Sequence, residues 1–447
     1  MKFLRGRAVA RGRSLLLFGT TAAAALTPLQ PLAASGFYLQ EQSVRGWGRA
    51  NSGEAADQGP DSLWWNPASI ARGEEGEEEA GLAVTFGATG IAPSGRIEDS
   101  GTQLDRPALA PGPVGGSGLQ RNPVPKGVLP NSAMAARLSD RLAIGLAIAS
   151  PYSFGTEYDS AGWQRYSAIE TKLLTFDIQP SIAFAPTDWL SLGAALNVEY
   201  ADASLENALP NLAPGSADGR LRLTGKGWDL GWSAGAQIRP APRVTLGLAW
   251  KSAIRHDLSG TFEISGLAGP LAVRNASGDV SANLTTPSQL IVAARAGITP
   301  STTLNVQAVR FGWSKFDQID LGPPLSSFIP QGYKDSTSLA FGVDQRVGGR
   351  LTLRAGLQLD PTPTRDDRRD ARVPDADRMN YNVGGSFRMG RRLRLDFAAA
   401  YTRFDDAPIT RDERFYANTP AEVQVLTEGR ATRQRAITLA LGGRIGF

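Results

Sequence analysis

The chain has 447 residues, with 47 Lys and Arg against 43 Asp and Glu, and it contains no cysteine. The lack of cysteine excludes disulfides, thiolate metal sites and a lipidated N-terminal Cys. Because five of the bases and none of the acids lie in residues 1–34, the rest of the chain carries 42 bases against 43 acids. A net charge so close to zero gives no support for nucleic-acid binding.

Residues 1–34 have the three parts of a secretory signal. Basic residues between Lys2 and Arg13 precede an apolar stretch, Ser14–Leu26, and small residues at 33–35 offer a cleavage site. An uncleaved anchor helix would need about 20 apolar residues, and threonines and a proline shorten this run. No later apolar run approaches 18 residues, which excludes membrane-spanning helices. The sequence therefore predicts export and cleavage.

Residues 35–79 show no alternation, yet they are rich in apolar side chains. We predict that they form a hatch packed inside a barrel, since so many exposed aromatic side chains would be unfavourable on a free tail. The alternative is a disordered leader. The candidates to line a substrate path here are Phe37, Leu39, Trp47 and Trp64.

From residue 80 to residue 447, apolar residues alternate with polar or small ones. The clearest runs are 142–149, 190–199, 244–251, 351–360, 392–401 and 437–447. A period of two indicates strands with one apolar face. Tight turns are predicted at 139–140, 186–188, 240–242, 300–301, 348–349 and 390–391, with long loops near 89–127, 205–220, 265–283, 321–335, 361–375 and 405–431. Counting one strand on each side of every connection predicts an all-β fold: a 14-stranded antiparallel transmembrane barrel in a bacterial outer membrane.

The sequence resembles the long-chain fatty acid transporter (FadL-type) family of outer-membrane proteins. The resemblance is carried by G-F-x-L-x-E-x-S at 36–43, G-x-G-R-A-x-S-G-E at 46–54 and N-P-A at 66–68, and it continues through 152–159, 228–235, 312–316, 332–335 and 374–378. It implies a 14-stranded barrel closed by an N-terminal hatch. It also implies uptake of long-chain fatty acids or other hydrophobic compounds, including aromatic hydrocarbons.

Pro151 follows the apolar run 142–149. Proline lacks a backbone N–H donor and is therefore normally excluded from paired strands. The resemblance implies an inward kink in the third strand and a side opening in the wall, which maps onto Pro151, Tyr152, Ser153, Phe154 and Gly155. The alternative is that the strand simply ends at Ser150. We expect Asn66, Pro67 and Ala68 to gate the hatch beside this kink, with Asn66 bonded to the backbone that the kink exposes.

Recognition of a carboxylate is not predicted clearly. Where the resemblance implies basic lumen residues, this chain has the acidic residues Asp202 and Asp320, and only Lys315 lies nearby. The cargo therefore stays open between a fatty acid and a neutral hydrocarbon.

Three other sequence features are typical of catalytic or metal-binding sites, but their sequence surroundings do not support such a site. Ser233 lies in G-x-S-x-G, but a nucleophile elbow needs a strand–turn–helix, and here the motif lies within an alternating strand. His256 is the only histidine, so a histidine-based metal site has no partners, although Ser–His chemistry in a barrel lipase stays an alternative. The acidic run from Glu74 to Glu79 is interpreted as a solvated face, with a Ca²⁺ site as the alternative.

The sequence thus predicts a passive, hatch-gated channel for hydrophobic molecules with lateral exit at the third strand, and no cofactor, metal or enzyme activity. An outer-membrane lipid hydrolase and a general porin are the alternative functions. The expected partners are the cargo, outer-membrane lipid and lipopolysaccharide, and the chain is expected to be a monomer.

Overall fold

The computed structural model describes residues 36–73 and 81–447. Its strands close into an antiparallel barrel of 14 wall strands, which confirms the predicted fold class. The predicted signal peptide and the acidic run from Glu74 to Glu79 lie outside the described residues. The division into a hatch, residues 35–79, and a barrel, residues 80–447, stays a prediction.

The wall strands follow one another around the ring in chain order. They are β1 (Leu82–Asp99), β2 (Gly127–Arg137), β3 (Leu142–Ala149, continued by Ser153–Glu157), β4 (Glu170–Thr187), β5 (Leu190–Leu209), β6 (Gly219–Ala241), β7 (Val244–Lys251, continued by Ile254–Ser265), β8 (Ala276–Thr286 and Gln289–Gly297), β9 (Thr302–Phe311), β10 (Ser336–Val347), β11 (Leu351–Asp360), β12 (Arg378–Met389), β13 (Leu393–Phe404) and β14 (Val423–Gly446). Strand β14 pairs with β1 along nearly its whole length, which closes the ring.

The remaining elements are short. Strands in the long connections are Gln103–Asp105, Gly112–Pro113, Leu119–Arg121, Gln318–Leu321, Ser327–Pro330 and Ala407–Phe415. One α-helix, α1, covers Val44–Trp47, and 3₁₀ turns cover Glu54–Ala56, Pro60–Ser62, Pro67–Ile70, Gly269–Arg274 and Trp313–Lys315. Among the described residues, none of the helices is both long enough and apolar enough to cross a membrane.

The two faces of the wall differ as the alternation predicted. Along β14, the outward Ile437, Leu439 and Leu441 are 55%, 63% and 72% exposed, whereas the inward Thr438 and Ala440 are buried. An exposed apolar belt would be unfavourable in water but suits contact with acyl chains. The belt is therefore the lipid-facing surface.

Connections at one end of the barrel are tight, as predicted, and five of the six predicted long loops contain strand residues. Strand β1 continues to Asp99, within the predicted loop 89–127, and β14 begins at Val423, within the predicted loop 405–431. These outer strand ends extend beyond the apolar belt, so their residues no longer need an apolar face. The outward face there is polar, as at Arg96 and Arg430, so the pattern of the lipid-facing wall does not extend to these ends.

Leu441 lies midway along β14 between Arg435 and the C-terminal Phe447, which places it near the middle of the belt. We expect Leu441→Arg to lower the free energy of unfolding by about 2–4 kcal/mol, because a lipid-facing arginine is costly at the bilayer midplane. The matched control is Leu138→Arg, at an exposed turn position, where the cost should be about 0–1 kcal/mol. Urea unfolding in liposomes measures both, and equal costs would contradict the assignment of the belt.

Candidate functional site

Residues 36–73, called the N-terminal segment below, contact wall strands in every sector of the barrel. Helix α1 packs against β12, β13 and β14, the turn Glu54–Ala56 against β7 and β8, and the turn Pro67–Ile70 against β4, β5 and β6. Nearly all of its side chains are buried, including the charged ones. A segment with such contacts occupies the space that the strands enclose.

Glycines on the inward face of the wall allow this close packing. A Cβ atom on Gly193 would lie 2.4 Å from the Ala68 amide nitrogen, and one on Gly247 would lie 2.1 Å from the Ala55 carbonyl oxygen. Similar close approaches to the segment occur at Gly87, Gly145, Gly235, Gly342, Gly356, Gly384 and Gly442. Glycines that the alternation places in the wall are thus contact points for the segment.

Buried ion pairs hold the middle of the segment. Arg49 Nη2 lies 2.7 Å from Asp57 Oδ2, and Asp57 lies 3.3 Å from Arg295 of β8, which in turn lies 2.9 Å from Asp344 of β10. Although burial alone would raise the pKa of Asp57, the surrounding guanidinium groups hold it below its ordinary value. Removing one partner of such a buried pair typically costs about 3–5 kcal/mol. This part of the segment is therefore firmly fixed to the wall.

Asn66 bonds to wall backbone as expected, but at β6 and β7. The prediction had placed it beside the kinked strand β3. Its Nδ2 donates to the carbonyl oxygens of Ala236 in β6 at 3.1 Å and Leu248 in β7 at 3.4 Å, while its Oδ1 accepts from the Ala68 amide at 2.9 Å. The expected position was wrong because the segment folds back on itself. Residues close to the first strand in sequence thereby reach the wall several strands away.

Strand β3 is interrupted at Ser150–Tyr152, and there it separates from β2. Pairing between the two strands runs from Arg137↔Ala143 only as far as Ser132↔Ile148. Farther out, the Glu157 amide donates to the Pro123 carbonyl at 2.8 Å. Between these limits, residues 127–131 of β2 face no partner in β3 within the described chain. We call this gap in strand pairing the wall window.

The start of the N-terminal segment pairs with β3 at the window. The Leu39 amide donates to the Pro151 carbonyl at 2.7 Å, and the Ser153 amide donates to the Phe37 carbonyl at 3.1 Å. Gln42 adds side-chain bonds to both backbone groups of Ser150. Residues Phe37–Gln42 thus take the place of β2 as the neighbour of the kinked strand.

An apolar cavity with a volume of about 80 Å³ lies beside these residues. Phe37 and Phe154 line it together with Leu173, Leu258 and other apolar side chains of β4 to β8. Phe37 also lies within an aromatic cluster, 4.8 Å from the ring of Trp313 and 5.0 Å from that of Phe316. The residues that pair with β3 therefore also form part of the cavity lining.

Of the predicted path-lining residues, only Phe37 lines this cavity. Leu39 packs between β1 and β2 at Ile91 and Leu129, and Trp47 packs against alanines of β13 and β14. Trp64 lies under the Lys251 ammonium, 3.4 Å from the ring centroid. Lys315 is exposed on its 3₁₀ turn and does not line the cavity.

Two cations that the sequence analysis missed line the cavity instead. They are Lys172, 3.2 Å from Asp202, and Arg372, whose Nη2 donates to Asn207 at 3.4 Å. Asp202 therefore has a base supplied by the adjacent strand β4. Cross-strand pairing of this kind could have been found only with the register of β4 and β5 in hand.

Ser233 and His256 do not form a catalytic pair. Ser233 Oγ donates to Asn197 Oδ1 at 2.6 Å, and the His256 ring nitrogens lie 3.1 Å from Glu199 and 3.4 Å from Asp229. The motif residues lie within β6, so the strand–turn–helix that a nucleophile elbow requires is not formed at this site.

The profile of the family described as "Outer membrane protein transport protein (OMPP1/FadL/TodX)" matches residues 24–439. The chain belongs to this family. Outer membrane protein P1 of Haemophilus influenzae is 25% identical over 417 residues, covering 85% of this chain and 90% of that protein. The long-chain fatty acid transport protein of Escherichia coli K12 is 25% identical over 408 residues, covering 82% of this chain and 87% of that protein.

Solved structures agree with the fold. A Pseudomonas aeruginosa FadL homologue superimposes with a TM-score of 0.80 at 24% identity, covering 92% of this chain and all of that one. The Ralstonia pickettii toluene transporter TbuX superimposes with a TM-score of 0.62 at 18% identity, covering 90% of this chain and 98% of that one. The predicted family and outer-membrane location are confirmed. Members of this family are transporters rather than enzymes.

The close approach at Gly193 predicts a selective defect. Gly193→Val should displace Pro67 and Ala68, because the new side chain would overlap backbone that cannot swing aside. We expect residues 36–73 to become protease-sensitive while the barrel stays folded and heat-modifiable on gels. Gly90→Val is the matched control, since a Cβ there meets only the Leu439 carbonyl at 3.7 Å. Equal protease resistance of the two variants would contradict the packing described.

Proposed function

We propose that the protein is a passive channel that takes hydrophobic molecules into the apolar cavity and releases them sideways through the wall window into the membrane. The observation that carries this proposal is that Phe37–Gln42 pairs with β3 at the window while its Phe37 lines the cavity. Movement of these few residues would join the cavity to the lipid.

Lateral release suits an apolar cargo energetically. Each buried CH₂ group contributes about 0.8 kcal/mol, so an alkyl chain gains by entering the bilayer and gains nothing by entering periplasmic water. Transport in this direction needs no coupled energy source.

Long-chain fatty acids are the cargo that the chemistry of the cavity lining suits best. Apolar side chains would contact the alkyl chain, and Lys172 or Arg372 would face the carboxylate. Relatives named as a long-chain fatty acid transport protein support this assignment. Aromatic hydrocarbons are the second candidate, favoured by the aromatic cluster around Phe37 and by the fold shared with toluene transporters.

The gate is proposed to be residues 36–42, with residues 45–61 staying in place. Hydrogen bonds and the aromatic contacts of Phe37 hold the first part, whereas the second part carries the buried ion pairs of Arg49 and Asp57. Asn66, Pro67 and Ala68 then anchor the hatch at β6 and β7. A general porin is disfavoured because the segment fills the lumen, and a lipid hydrolase because Ser233 and His256 have separate partners.

Pro151→Val tests the lateral route. Valine restores a backbone donor, so β3 can continue straight and pair with residues 127–131 of β2. Uptake of a fluorescent long-chain fatty acid by proteoliposomes should fall at least tenfold, while stability stays equal or rises by about 0.5–1.5 kcal/mol.

Pro240→Val is the matched control, because Pro240 is an exposed strand proline of β6, three strands away from β3. It should leave uptake unchanged. If the Pro151→Val channel transports as fast as the parent, cargo leaves by another route and the lateral mechanism is wrong.

A further inference from the structure

The outer surface of the barrel carries a cluster of arginines beside an open cavity. The cavity is bordered by β1, β13 and β14, and its lining includes Arg96, Arg121, Arg403, Arg433 and Arg435. Among the described residues, the acids that line this cavity are Asp405 and Asp406. Five bases against two acids leave this site strongly positive.

The cluster lies at the outer rim of the lipid-facing belt. Arg435 is two residues from the lipid-facing Ile437 on β14, and Arg403 is two residues from the exposed Tyr401 on β13. Positions two apart on a strand share a face, so these arginines point outward, as the belt does. Because they lie just beyond the outer edge of the belt, these arginines are level with the lipid head groups of the outer leaflet.

Like charges face each other across the strands of this cluster. Arg403 is directly opposite Arg435, and Arg96 is directly opposite Arg121 on the short strand Leu119–Arg121. Such pairs are destabilising on their own. Within the described chain, no carboxylate lies at ion-pair distance from any of the five, and Arg435 Nε donates only to the Ser94 hydroxyl, at 3.3 Å. Asp405 and Asp406 are the acids of the described lining, so three of the five positive charges are left uncompensated there.

A bulge brings further arginines to this face. The register between β1 and β14 shifts between Ser94 and Arg96, so that Arg433 and Gln434 lie opposite Gly95. Arg433 has a φ of +52°, in the left-handed region that non-glycine residues rarely adopt. Bulges commonly re-aim a side chain, and this one sets Arg433 beside Arg435 on the face where Arg96 also lies.

We propose that this cluster is a binding site for the phosphates of an outer-leaflet phosphorylated glycolipid, the lipid A part of lipopolysaccharide. Guanidinium groups bind phosphate with paired, charge-assisted hydrogen bonds. The sugar phosphates would lie between the facing arginine pairs, and the acyl chains would descend along Tyr401 and Ile437. The site holds the barrel at a defined depth in the outer leaflet.

Native mass spectrometry of the detergent-purified full-length protein tests the proposal. The probes are bis-phosphorylated lipid A, the same lipid after removal of both phosphates, and inorganic phosphate. The variants are Arg403→Gln with Arg435→Gln, and Arg96→Gln with Arg121→Gln. The matched control is Arg222→Gln with Arg255→Gln, which removes two exposed arginines from β6 and β7. Heat-modifiability on gels verifies that every variant is folded.

The parent and the control pair should bind phosphorylated lipid A at least tenfold more tightly than either test pair, and all four proteins should bind the dephosphorylated lipid equally weakly. The site is refuted if the test pairs bind phosphorylated lipid A as the parent does, or if the parent does not prefer the phosphorylated lipid. Displacement of lipid A by equimolar inorganic phosphate would assign the site to free anions and overturn the lipid assignment.

Discussion

Every backbone N–H and C=O group that faces lipid must find a partner within the protein, because hydrocarbon offers none. A closed ring of 14 strands meets this requirement around nearly the whole wall. At the window the ring opens, since β2 and β3 part after Ser132↔Ile148. There the first residues of the N-terminal segment supply the missing partner to β3. The position of the segment follows from this need.

The same segment is held by two kinds of contact that differ in strength. From Arg45 to Asp61, buried charges connect it to strands on several sides, and wall glycines bring its backbone against the wall. From Phe37 to Gln42, the contacts to β3 are ordinary hydrogen bonds, each worth about 0.5–1.5 kcal/mol net. This difference between the two parts is the basis for the gate proposed at the window.

Local pattern was enough to predict the wall, because the two faces of a strand meet different solvents and so demand different side chains. The run 142–149, the turns near residues 139 and 348 and the break at Pro151 could all be read from adjacent residues. The outer ends of β1 and β14 could not, since beyond the lipid their outward positions are polar, as at Arg96 and Arg430, and the apolar outward face used to find the wall strands is absent.

The site was harder to predict because its residues are distant in sequence. They meet only through the register of paired strands and through the reversal of the N-terminal segment. Asn66 lies near the first strand in sequence, yet it bonds to β6 and β7. Lys172 and Arg372 come from a strand and a distant loop that meet only in the closed barrel. Lys315 was expected near the cargo from its neighbours in sequence, but its turn directs it to solvent. Facing arginine pairs such as Arg403 and Arg435 likewise become visible only once the strands are aligned.

A reversible disulfide between the segment and β3 tests the central claim most directly. Tyr38 and Tyr152 form an antiparallel bridge of the non-hydrogen-bonded kind, in which Cα atoms lie about 4.5 Å apart, within the range that a disulfide spans. The chain has no other cysteine, so Tyr38→Cys with Tyr152→Cys can form a single intramolecular bond, and the two single variants control for oxidation. Fatty-acid uptake by proteoliposomes should be at least tenfold slower in the oxidised double variant than in the same sample after reduction. Equal rates before and after reduction would show that the segment need not leave β3, and would contradict the account.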